Sequence, residues 1–124
     1  MNMPIVDVQL IAESGATPPP GLSQSLADAL GKVFDSPPGH TWVRVHCIGA
    51  DHYAENGLAV GAQELPVFVT VLQAHPPQGL LLVAEVLAVT AAVAVCVGRD
   101  KQRVHVQYLP AATGRQAFGG KLVT

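Results

Sequence analysis

The feature that most constrains this chain is that it repeats itself. Residues 65–74 (LPVFVTVLQA) lie over residues 3–12 (MPIVDVQLIA), proline over proline. Further on, TWVRVHCIGADHYAENGLAV lies over KQRVHVQYLPAATGRQAFGGKLV, with Val43-Arg44-Val45 opposite Val104-His105-Val106 and Asn56-Gly57 opposite Gly119-Gly120. The repeats span about residues 3–61 and 65–124, and each reads strand–helix–strand. Two strands joined by one helix should be parallel, with a right-handed crossover. Two such units side by side predict an α/β (α+β) fold: a four-stranded mixed sheet with both helices on one face, as a single domain over 1–124.

Local patterns support that plan. Met3–Leu10 alternates Ile5, Asp7 and Gln9 with Val6, Val8 and Leu10, the period of a strand. The prolines at 18–20 mark a loop, after which Leu22, Leu26, Ala29, Leu30 and Val33 recur at helical spacing and predict a helix over Leu22–Phe34. Thr41–Ile48 is β-branched and aromatic and predicts the second strand, followed by a loop or short hairpin over Asp51–Gly61. In the second half, Pro66–Gln73 predicts a strand, Leu80–Val97 a helix and Arg103–Leu109 a strand. A Gly-Gly turn and a short strand are expected in Gly114–Val123.

Apolar residues make up 49% of the 124, and charged residues only 13%, which supplies a core and excludes disorder. A net charge of −2 lacks the basic footprint that phosphate contacts need, so no nucleic-acid partner is expected. The shortage of charge predicts apolar surface covered by other copies of the chain. Cys47 and Cys96 form no C-x-x-C pair, and no basic segment leads into an apolar run at the N-terminus. A reducing, cytoplasmic setting is the expectation.

Leu80–Val97 is almost wholly apolar and just reaches membrane-spanning length. Glu85 lies inside it and no Lys or Arg cluster flanks it, which argues against a span and for no membrane partner. Val83, Val86, Val89, Val93 and Val97 fall on one helical stripe, with Glu85, Ala88 and Ala92 on another face. The expectation is a buried helix with a weakly polar outer side.

Met3-Pro4-Ile5 opening the first strand, then TWVRVHCIGADHYAENG, resembles the tautomerase superfamily. DKQRVHVQYLPAATGRQAFGG is similar to the C-terminal part of its macrophage migration inhibitory factor branch. The resemblance covers nearly the whole chain. It implies a homotrimer whose sheets wrap into a barrel, active sites between subunits, a small carbonyl or enol substrate, and no cofactor. It also implies an N-terminal proline as base, and Pro4 is the matching residue. A free α-amino group titrates near 8, and burial lowers that value towards neutrality, where it can shuttle a proton between carbon and oxygen. Pro4 qualifies only when processing exposes its nitrogen, because Met1, Asn2 and Met3 precede it.

By the same resemblance Arg44 polarises a substrate carboxylate or carbonyl, a task that suits a guanidinium fork. Strand alternation puts it on one side with Trp42 and His46, sheltered from open water. Tyr53 falls where a pocket aromatic is expected, and His105 and Gln107 match substrate-binding positions on the last strand. The cations near Ser14 and Ser36, and the paired arginines expected in QAHPPQG, are missing, which favours a smaller or singly charged ketone. His40, His46, Cys47, His52 and His75 show no metal-ligand spacing, so no metal is expected. Two functions follow: a cofactor-independent tautomerase, or a non-catalytic trimer of the same fold that binds a ligand or partner.

Overall fold

The computed structural model describes residues 2–124. The elements run β1 (Ile5–Ala12), α1 (Leu22–Val33), β2 (Trp42–Gly49), β3 (Val67–Leu72), α2 (Leu80–Val97), β4 (Val104–Tyr108), and two short strands, β5 (Ala117–Phe118) and β6 (Lys121–Leu122). The main sheet has the order β2-β1-β3-β4. β1 pairs parallel with β2, β3 pairs parallel with β4, and the two halves join antiparallel through β1 and β3. This is the mixed sheet that the repeat predicts.

Alternation along the strands divides the sheet into two chemically different faces. Val6, Val8 and Leu10 of β1 and Val67, Val69 and Val71 of β3 are buried, on the face that carries the helices. They meet Leu22, Leu26 and Leu30 of α1 and Val89, Val93 and Ala94 of α2 in one cluster. Full burial of a Leu or Val side chain contributes about 1.5–3 kcal/mol, so this layer dominates the stability of the fold. Among the described residues no helix lies over the opposite face.

Most boundaries fall within two residues of those expected, and the first strand differs for a local reason. Met3 has φ 39, outside the strand region, and Pro4 has no N–H to donate, so β1 begins at Ile5. It continues past Leu10 because the Ile11 amide donates to the Pro66 carbonyl at 3.1 Å. Beyond β2 a single 3-10 turn (Ala50–His52) leads to a Glu55–Leu58 bridge around Asn56-Gly57, where Gly57 takes φ 74.

The expectation for α2 is corrected. Glu85 does not face outwards: the Tyr108 hydroxyl on β4 donates to its carboxylate at 2.6 Å. Thr90 turns its hydroxyl back to the Val86 carbonyl. With its polar groups directed at the protein, the outer side of α2 is apolar, and Leu80, Leu81, Val83, Leu87 and Val95 are exposed.

Candidate functional site

The sheet registers assemble two rows on the face without helices. Arg44 lies opposite Asp7, Asp7 opposite Thr70, and Thr70 opposite Gln107. One pleat along, His46 lies opposite Gln9, Gln9 opposite Phe68, and Phe68 opposite His105. The Gln9 amide and the His46 ring meet at 2.9 Å, and Phe68 contacts the His105 ring at 5.6 Å between centroids. Tyr53 packs on the other side of Phe68 at 5.9 Å and donates its hydroxyl to Glu55 at 2.6 Å. Four of the residues singled out from the sequence, Arg44, Tyr53, His105 and Gln107, therefore share one face.

Arg44 is not sheltered within the protomer, contrary to expectation. Its side chain is 70% exposed and it donates Nε and Nη2 to the two carboxylate oxygens of Asp7, at 2.7 and 3.0 Å. The hydrogen bond to Asp7, then its charge, raises the guanidinium pKa further above its ordinary value. Nη1 and one Nη2 hydrogen are left for another acceptor. Tyr53 is also held protonated, first by the bond to Glu55 and then by burial.

Pro4 stands apart. Its side chain is fully buried on the helix side, two residues before Val6, whereas Asp7 and Arg44 project from the opposite face. Its carbonyl accepts from the Trp42 amide at 2.9 Å, and its nitrogen is an amide of the Met3–Pro4 bond. Asn2 fastens the preceding segment to the turn after β3. Its carbonyl accepts from the Ala74 amide at 3.3 Å and its side-chain oxygen from the His75 amide at 2.7 Å. One protomer therefore does not bring Pro4 and Arg44 together.

Sequence reading missed two glutamines at this end of the sheet. Continuing the β1–β3 register places Gln73 opposite Pro4, and the Ala112 amide donates to the Gln73 carbonyl. Gln116 follows in the same C-terminal segment, which Phe118 anchors edge-on to Trp42 at 4.8 Å. Gln73 and Gln116 are 2% and 6% exposed, and among the described residues Gln73 Oε1 and both amide atoms of Gln116 have no partner. Buried amides are rarely left unpaired, so these atoms are open to water or to a polar ligand. Isolated glutamines carry no sequence signal for such a role.

No family model and no curated protein matches the sequence. Solved structures do match. A fused 4-OT wild-type symmetric trimer superposes with a TM-score of 0.74 at 18% identity, over 96% of this chain and 94% of that one. A macrophage migration inhibitory factor from Oncomelania hupensis gives 0.71 at 14% identity, over 96% and 81%. A homologue of that factor from Prochlorococcus marinus gives 0.68 at 15% identity, over 97% and 99%. With two helices on one face of a β2-β1-β3-β4 sheet, the chain has the tautomerase-superfamily fold.

Proposed function

We propose that the chain is a cytoplasmic, trimeric tautomerase-like isomerase that moves a proton on a small enolisable carbonyl compound once the Pro4 nitrogen is released. The observation that carries this reading is Pro4 itself, buried at the head of β1 in the tautomerase fold and opposite Gln73. A secondary amine held there loses hydration of its charged form, and its pKa falls towards neutrality. Loss of residues 2 and 3 removes the Asn2 contacts with Ala74 and His75 and opens space beside the proline. Of the unpartnered amide atoms, Gln116 Nε2 is the donor for a substrate oxygen, while Gln73 Oε1 and Gln116 Oε1 can only accept from a protonated group. The uncovered sheet face, with Trp42, Arg44, His46, His105 and Gln107 exposed, supports a trimer in which the Arg44 row of one copy approaches the pocket of the next.

A second reading has its own observation. The bidentate Asp7 ion pair occupies the fork with which Arg44 would grip a carboxylate, as a non-catalytic binding protein would tolerate. One comparison decides between them. Chain beginning at Pro4 should ketonise phenylenolpyruvate at least 100-fold faster than chain that keeps Met1-Asn2-Met3, the size of a general-base contribution. Equal rates would take the proline out of the mechanism and leave the binding protein.

A further inference from the structure

α2 presents to solvent a surface that its counterpart in the first repeat does not. Both helices lie on the same face of the sheet, one in each half. On α1 the exposed positions are Ser23, Gln24, Ser25, Asp28 and Lys32, and Gln24 bonds Asp28 at 2.8 Å. On α2 they are Leu80, Leu81, Val83, Ala84, Leu87, Ala88, Ala91 and Val95, without one polar side chain. Leu80 is 86% exposed, Leu81 73%, Leu87 67% and Val95 83%. Water is the proper neighbour of the first face and not of the second.

We propose that the outer face of α2 is a two-fold contact between copies of this chain. The stripe Leu80, Ala84, Leu87, Ala88, Ala91, Val95 reads nearly the same in both directions. An antiparallel partner related by a two-fold axis therefore sets Leu80 against Val95, Ala84 against Ala91, and Leu87 into the gap over Ala88. A two-fold interface must be self-complementary, and this stripe is. The alanines let the backbones approach, and no charge has to be buried. Covering all the exposed apolar side chain of the stripe, roughly 600 Å² per copy at most, would bring the total to about 1,200 Å², the lower edge of a standard interface.

Lipid is a poorer occupant. The helix has the length and mean hydropathy, 2.7, of a span, but Val89, Val93 and Ala94 are built into the core and cannot leave it. No cation lies within α2 to meet headgroups, and Arg99 beyond its end is held by the Leu65 and Pro66 carbonyls at 3.1 and 3.0 Å. The contact also lies on the opposite side of the protomer from the uncovered sheet face. It would therefore link the assemblies that face makes into larger ones.

Light scattering on the full chain across the micromolar range tests this, with Leu87→Glu as the variant and Gln24→Glu on α1 as the control. Wild type and the control should have at least twice the mass of Leu87→Glu. Because the ratio is read, the two-fold contact stands or falls separately from the trimer: a variant mass other than three chains would count against the trimer alone. Equal masses for wild type and Leu87→Glu would overturn the proposal. So would flotation of wild type, and not the variant, with phosphatidylcholine–phosphatidylglycerol vesicles at unchanged mass, since lipid would then be the occupant. Should Leu87→Glu fail to fold, disulfide cross-linking of an Ala88→Cys chain decides instead. It should link copies under mild oxidation where Asp28→Cys does not, and equal yields at the two sites would overturn the two-fold contact.

Discussion

α1 and α2 occupy equivalent places in the two halves of the repeat and solve the same packing problem in opposite ways. α1 buries Leu22, Leu26 and Leu30 at a spacing of four and gives its polar residues to water. α2 buries Val89, Val93 and Ala94, turns Glu85 and Thr90 towards the protein, and leaves leucines outside. The repeat dictates which side of each helix meets the sheet. It does not dictate what the other side meets, and that side is where the two halves have acquired different surroundings.

The contrast breaks most visibly under truncation of one leucine on each helix. Leu26→Ala, at a fully buried position, should cost about 2–5 kcal/mol in urea unfolding. Leu87→Ala should change the stability of dilute, dissociated chain by less than about 0.5 kcal/mol, as an exposed substitution does. A Leu87→Ala loss approaching that of Leu26→Ala under dilute conditions would show the outer face of α2 packed within a single chain, and the contrast would end.

The next effect tests whether the inward polar group of α2 matters. Burial, and then the bond to Glu85, push the Tyr108 phenol far above its ordinary value of 10.0. The native phenol keeps its proton where the unfolded one loses it, so the native state binds more protons above pH 10. Stability must then fall as pH rises through that value. Tyr108→Phe should remove this part of the alkaline loss. It should also cost about 1–3 kcal/mol at neutral pH, because the Glu85 carboxylate loses its donor while partly buried. Unfolding measured from pH 7 to 11 checks both, and an unchanged alkaline slope would refute the coupling.

These helices also show what the sequence could tell. Strand alternation and the leucine spacing of α1 identified the sheet, α1 and a face left without helices, because each pattern contrasts polar with apolar residues. Arg44, expected to be sheltered, projects instead from that bare face. α2 offers no such contrast: a helix apolar on all sides shows no preferred face, so the valine stripe misjudged Val83 and Glu85. The Asp7–Arg44 pair was out of reach for another reason. It joins residues 37 apart in sequence through a parallel register that nothing local specifies. The sequence reading set Pro4 and Arg44 together as catalytic residues, although the parity of β1 puts Pro4 with Val6 on the helix side. The seating of the C-terminal segment against Gln73 exists only once that segment has folded back.

The smallest expected effect concerns the one weak turn of α1. Gly31 lies in the helix interior, its φ is not positive, and a Cβ added there meets nothing within 4 Å. Gly31→Ala should therefore stabilise the chain by up to about 1 kcal/mol, the usual gain in a helix where the added methyl meets no neighbour. The melting temperature should rise by about 4 °C for a domain of this size. The mass should not change, because α1 already carries a solvated face. Gly31 also lines a groove with Gln24, Asp28, Lys32 and the Pro37–Pro38 turn. A Gly31→Ala chain that melts earlier, or that loses mass, would show that groove filled in the native assembly. α1, and not α2 alone, would then be a contact helix.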